Sequence, residues 1–414
     1  MVDLLECTVM PYAWGSRTAI AELLGANSPS AEPQAELWMG AHPMAPSRLA
    51  RGGRKQSLIE VISGGASREL GDEVTTKFGA RLPFLLKVLA AEQPLSLQAH
   101  PSPEQARAGF EEEDRRGIAR DAATRSYRDT SHKPELLCAL VPVDALCGFR
   151  EISETLVLFD ELAVKELEPA LAALRSSPDA EGLAAVFGNL MTMPAAEAAR
   201  AVAATVAACA NRSTSFAREL AWAAKLNALY PGDIGVVSAL LLNLVSLEPG
   251  EALYLDAGNL HAYLSGVGIE IMASSDNVLR GGLTKKHVDV PELLRVLDFS
   301  DGPVHPIRAR AVDANERVWD TPAKEFRLSM IDVPAGASIA RDVRGPEIVL
   351  CAAGRVVITG GDGTPPLDLA RGRSAFVPAS TRRYTVRSAP ATEGAPEKAG
   401  EVAASVYRAT VNLT

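Results

Sequence analysis

Hydrophobic and polar positions change rhythm three times along the chain. Residues 1–150 carry short apolar runs, such as Leu82 to Leu89 and Pro94 to Ala99, broken by Gly and Pro, which is the texture of strands and turns. Within this region helix is expected around Ala35–Met39 and over Pro103–Gly109. The second of these has a marked start: Ser102 caps, Pro103 takes the first turn and Gln105 closes a capping box. Residues 151–231 are rich in Ala, Leu and Glu, with apolar residues three and four apart, as in Phe216, Leu220 and Ala224. That spacing predicts a block of about four to six short helices, ended by Pro231-Gly232. Residues 233–305 return to strands and turns. Residues 306–414 are nearly pure β pattern, with strands expected over Glu347–Ala352, Arg355–Thr359, Ser374–Pro378 and Val402–Val411. Ser388 to Gly400 reads as a mobile loop without function. Short strands at this spacing mean a sandwich or barrel. The expected fold class is mainly β with a helical domain. Residues 1–150 and 232–305 make one β unit, 151–231 the helical domain, and 306–414 a second β unit.

Composition narrows the partners. The chain has 414 residues, enough for about two or three domains without staples. Lys plus Arg number 42 and Asp plus Glu 51, a net charge of −9. With no basic cluster, that balance argues against nucleic acid and against an anionic membrane surface. The most apolar long stretch, Ile234 to Leu247, contains Asn243 and is too short to span a bilayer. Asp3 and Glu6 interrupt any basic-then-apolar leader pattern, so the cytoplasm is the expected address. The five cysteines form no C-x-x-C and read as reduced, mostly buried thiols.

Three segments carry metal-binding chemistry. In Leu95-Ser96-Leu97-Gln98-Ala99-His100-Pro101, a strand would put Ser96, Gln98 and His100 on one face and Leu97 and Ala99 on the other. Taken singly, a Gln-x-His pair is surface polarity. In Ser131-His132-Lys133-Pro134-Glu135-Leu136-Leu137-Cys138, Glu135 opens an apolar strand. A carboxylate entering such a strand must be paired or bound to metal, unless it sits at the solvent end. In Leu255-Asp256-Ala257-Gly258-Asn259-Leu260-His261-Ala262-Tyr263, a strand leads through a turn into His261. Together Gln98, His100, Glu135 and His261 supply two nitrogens and two oxygens. That set suits an open zinc site, and the amide with no cysteine leaves Mn, Co or Fe possible.

A fourth segment, Ile269 through Lys286, suits an anion. Ser274-Ser275-Asp276-Asn277 reads as a turn. Gly281 and Gly282 follow Arg280 and let a backbone approach a ligand closely. Arg280 offers a fork-shaped grip for phosphate and Lys286 a point charge. On this segment alone, a surface turn with solvated charges is the simpler reading. The acidic run Glu111 to Asp114 reads as a solvated face.

The chain resembles the type I phosphomannose isomerase family, zinc enzymes of the cupin superfamily. The resemblance rests on Tyr12-Ala13-Trp14-Gly15-Ser16, on Ala35 to Pro43, on Leu82 to Leu89, on Pro94 to Pro101, on His132 to Leu137, and on His261 through Lys286, in that order. It implies two cupin-type β-barrel units with a helical insertion, one zinc per chain held by Gln98, His100, Glu135 and His261, and a monomer. It implies that Arg280 is the active-site arginine and Lys133 a catalytic or sugar-contacting lysine. Ser96 and Lys286 would contact phosphate or sugar, and Tyr263, Glu270 and Asp276 occupy further motif positions. With no histidine after His305, the second β unit would keep the barrel without a metal site. Trp14, Trp38, His42 and His287 are read as structural.

The implied reaction interconverts mannose 6-phosphate and fructose 6-phosphate through an enediol. Arg280 or Lys133 would stabilise the enediolate, and His132 or Lys133 would lie near the proton shuttle. His100 or Asp276 would serve ring opening. Two rivals remain at this stage. One is another enzyme on the same fold, such as an isomerase of a different phosphosugar or an iron oxygenase. The other is a non-catalytic sugar-binding protein.

Overall fold

The computed structural model describes residues 1–209, 214–361, 363, 365–389 and 401–413. Most of the expected loop over 388–400 lies outside them. Three larger sheets, all antiparallel, and a block of helices make up the described residues. None of these helices is long and apolar enough to cross a membrane.

The first sheet is organised by the long strand His261–Ala273. Its second half pairs with Phe84–Ala91 on one side and Glu135–Ala139 on the other. Its first half pairs with Val143–Phe149, and its first residue with Gln98–Ala99. Leu279–Arg280 pairs with Gln98–Ala99 in turn. The strand can serve two sets of neighbours because its register shifts between Tyr263 and Ser265, next to Gly266 at φ 113°. A Cβ at Gly266 would lie 2.5 Å from the Pro142 carbonyl oxygen, so only glycine fits.

Residues 35–39 are strand, not helix. Glu36–Gly40 lies between Thr8–Met10 and Phe84–Ala91, and all of its residues are buried. Burial on both faces removes the alternation that marks a strand, and a short apolar run then looks the same as helix. The helix at Ser102 forms with its capping box and runs further than expected, over Pro103–Arg115.

Among the described residues, five α-helices occupy the helical block: Ile152–Leu162, Glu168–Ser176, Ala180–Met191, Ala195–Cys209 and Ala217–Leu229. Their apolar faces share one core with Leu97, Ala99, Leu260, Leu279 and Leu283. The helices therefore brace the back of the short strands that carry Gln98 and Arg280. The glycines after Arg280 serve this bracing rather than a ligand: Gly282, at φ 117°, meets the Gly235 backbone, where a Cβ would be 2.9 Å away.

The C-terminal strands form two facing sheets around Val333, Val349, Ile358 and Val406. The four strands expected there are present within a residue or two of their anticipated ends. Asp3–Leu5 joins this unit, pairing with Ser374–Val377, so residues 306–414 do not make it alone.

Candidate metal centre

His100 and His261 are fully buried and face Glu135, which is 2% exposed. His100 Nε2 lies 3.3 Å from Glu135 Oε1, and His261 Nε2 lies 3.6 Å from Glu135 Oε2. One ligand atom from each residue falls within a 4.8 Å cluster. The backbone sets the tautomers. His100 Nδ1 is 2.8 Å from the Asn277 carbonyl, and His261 Nδ1 is 2.9 Å from that of Asn259. Both Nδ1–H groups donate, which leaves both Nε2 atoms as lone-pair acceptors. His100 Nε2, His261 Nε2 and Glu135 Oε2 are buried without a hydrogen-bond partner. Three lone pairs converging in a buried space repel one another and call for a cation, and carbonyl-oriented imidazoles are how metal ligands are held.

The electrostatics agree. Burial, then Lys133, pushes the His100 imidazole down. Burial, then His100, pushes His261 down to about 4, so both rings stay neutral and ready to bind. Burial would raise the Glu135 carboxyl, but Lys133 opposes it and the carboxyl is held well below the carboxylate range. Lys133 Nζ is 2.9 Å from Glu135 Oε1. Gln98 stands directly across from His261 on one side and Arg280 on the other, so the three side chains share one sheet face.

That face opens into a cleft of about 350 Å³, within the range of small-molecule sites. Ser96, Gln98, Glu135, Lys133, Tyr263, Glu270, Arg280 and Lys286 all line it. Lys87 lies on its floor, with Nζ 3.0 Å from Glu270 Oε2 and 3.5 Å from Glu36 Oε2. Burial would lower the Lys87 amine, but the two carboxylates outweigh it and raise it. Burial lifts the Glu270 carboxyl to about 7, against the pull of Lys87 and with the help of Glu135 and Glu36. The buried Tyr263 hydroxyl, raised by burial and then Glu270, has no hydrogen-bond partner.

Two expected residues are not brought to this cleft. His132 turns toward the C-terminal unit, with Nε2 2.8 Å from Glu325 Oε1. Asp276 sits in an adjoining compartment, 3.3 Å from His42 Nε2. Sequence reasoning also missed Lys87, Glu36, Tyr12 and Trp14, which all line the cleft. The signal for Lys87 was legible, since a lone lysine inside the fully buried run Phe84–Ala91 must have counter-charges. Nor is Glu113 part of a solvated face. At 7% exposure, it accepts the backbone N–H groups of Ser126 and Tyr127.

Comparison with known proteins agrees with this arrangement. A family model for the catalytic domain of type I phosphomannose isomerase matches residues 2–152, and one for its helical insertion domain matches residues 158–242. The mannose-6-phosphate isomerase of Escherichia coli (strain K12) is 40% identical over 382 residues, covering 92% of this chain and 95% of that protein. The enzyme of Homo sapiens is 33% identical over 409 residues, covering 91% and 93%. A zinc-bound mannose 6-phosphate isomerase structure superposes with a TM-score of 0.89 at 36% identity over the whole of both chains.

Proposed function

The chain belongs to the type I phosphomannose isomerase family, and we propose from its own residues how it interconverts mannose 6-phosphate and fructose 6-phosphate. The observation that carries the reading is one cleft that joins three partnerless buried lone-pair atoms to two cations, Arg280 and Lys286, with no ion pair among the described residues. His100, Glu135, His261 and Gln98 would hold zinc, which would supply Lewis-acid polarisation of a sugar oxygen.

The remaining work falls to side chains on the cleft wall. Lys133, beside Glu135, stabilises the negative charge that develops on the enediolate oxygens. Arg280 and Lys286, with Ser96, hold the phosphate, which fixes the sugar's reacting end against Lys133. Glu270 takes the proton from C2 and returns it at C1, while the hydroxyl proton on O2 passes to O1, so the C1 carbonyl becomes a hydroxyl and the C2 hydroxyl a carbonyl. A carboxyl titrating near the working pH is suited to that task, and Lys87 orients it. Tyr263 lines the same wall and offers its free hydroxyl to the sugar. The same reading includes cupin-type jelly rolls for the sheets, a monomer and a cytoplasmic setting.

A coupled assay for fructose 6-phosphate formed from mannose 6-phosphate tests it. Turnover disappears with a chelator and returns with zinc. Turnover that persists in metal-free protein would overturn the reading.

A further inference from the structure

The cleft has a second compartment of about 320 Å³, bounded by Arg128, Arg280, Lys286, Lys133 and Asp276. Arg128 has no part in the scheme above, yet it shares this space with both phosphate-binding cations. Among the described residues, none of Arg128, Arg280 and Lys286 has a carboxylate within ion-pair distance. The acidic groups beside them make their hydrogen bonds elsewhere, although Asp276 feels the charge of Arg128. Asp129 accepts from Ser275 Oγ at 2.9 Å and from the Asp276 backbone N–H at 2.8 Å, and Asp276 faces His42. The cations feel one another. After burial, Arg128 lowers the Arg280 guanidinium, and Arg280 and then Arg128 lower the Lys286 amine. Arg280 is half-buried and Arg128 and Lys286 are exposed, so three like charges without carboxylate partners face one space that an anion would neutralise.

Arg128 is also held in place. It lies on a connection, residues 116–131, that is pinned at both ends. On the N-terminal side the buried Glu113 accepts the N–H groups of Ser126 and Tyr127. On the other side the Arg128 and Asp129 N–H groups donate to Asn277 Oδ1 at 2.7 and 3.1 Å. Asn277 Nδ2 donates to the carbonyls of Asp129 and Ser131, both at 2.8 Å. The carbonyl of the same asparagine accepts from His100 Nδ1. One fully buried residue, through its side chain on one side and its backbone carbonyl on the other, thus ties the backbone of Arg128 to His100.

We infer that Arg128 is the third cation of the phosphate grip, a specificity-determining residue whose distance from the metal centre is set through Asn277. The inference rests on the phosphosugar reading above. With Arg280 and Lys286 it surrounds a dianion with two forks and a point charge, and it favours phosphorylated over neutral sugars.

The test uses the zinc-loaded full chain and its Arg128→Ala, Arg128→Gln and Arg128→Lys variants. Calorimetry gives the Kd of inorganic phosphate and of glucitol 6-phosphate, which has no carbonyl to isomerise. The coupled assay gives kcat and KM for mannose 6-phosphate. Losing charge-assisted hydrogen bonds at Arg128→Ala and Arg128→Gln should raise KM and both Kd values about ten- to a hundredfold. Zinc content should hold and kcat should fall less, and Arg128→Lys should recover part of the affinity. Unchanged Kd and KM in Arg128→Gln would overturn the inference. So would a fall in kcat with KM and Kd unchanged. Wild-type protein that binds phosphate through Arg128 but does not isomerise would uphold the site and refute the reaction.

Discussion

Metal-stripped wild-type protein and its His261→Gln variant should differ in how their stability responds to acid. Burial and His100 hold the His261 imidazole down to about 4, against an ordinary 6.5. As pH falls through 6.5 the unfolded chain takes up a proton that the native site refuses until about 4, so stability is lost across that window. At about 1.4 kcal/mol per unit the whole difference is about 3 kcal/mol, and about 2 kcal/mol of it develops between about pH 7.5 and about pH 5. Glutamine does not titrate, so the variant lacks this loss. The comparison is needed because Glu270 acts in the opposite sense. Its carboxyl is raised from 4.5 to about 7, so its contribution is fully present below 4.5 and is lost as pH rises through 7. The wild-type profile alone therefore mixes opposing contributions, His261 and His100 against Glu270, while the difference between the proteins isolates His261. Urea melts in chelator at the two pH values give the difference directly. The stability gap should shift by about 2 kcal/mol against wild type on acidification. A gap constant to within about 0.5 kcal/mol, below the usual effect of a surface change, would refute the argument for a buried neutral imidazole.

Other perturbations separate the parts of the site. Gln98→Ala or His261→Ala should lose both bound zinc and turnover, read by metal analysis beside the coupled assay; full zinc with unchanged turnover would remove them from the ligand set. Arg280→Ala should cut kcat/KM by about a hundredfold while zinc content stays the same. Gly109→Ala places a Cβ 2.3 Å from the Tyr127 ring, so it should lower stability by about 1–3 kcal/mol in thermal melts and raise KM by displacing the adjoining Arg128.

What the sequence revealed follows from how each feature is encoded. Some C-terminal strands were legible from alternating burial, as in Arg355–Gly360, whereas the fully buried Ser374–Val377 was marked by its short length and the turns around it. Glu36–Gly40 was not, because burial on both sides erased that period. The candidate ligand histidines stood out because the chain has only six histidines. Lys87 and Glu36 were hidden inside segments that read as core, and the pairing of Lys87 with Glu36 and Glu270 exists only across three strands. Arg128 was hidden for another reason. Its connection has no periodicity, and its anchors, Glu113 and Asn277, are respectively 15 and 149 residues away along the chain. His132 misled because its neighbours Lys133 and Glu135 do face the cleft, whereas its own partner, Glu325, comes from the far half of the sequence.

The pairing of Asp3–Leu5 with Ser374–Val377 has a consequence for how the protein is born. During synthesis Asp3–Leu5 must wait for Ser374–Val377, several hundred residues further on, before its neighbour exists, while its edge and that of every nascent copy stay available to strangers. Removing that strand would leave the metal ligands in place but bare the flank of Ser374–Val377, a ready template for another molecule. Damage at the extreme N-terminus should therefore show first as self-association during expression, and only afterwards as lost catalysis.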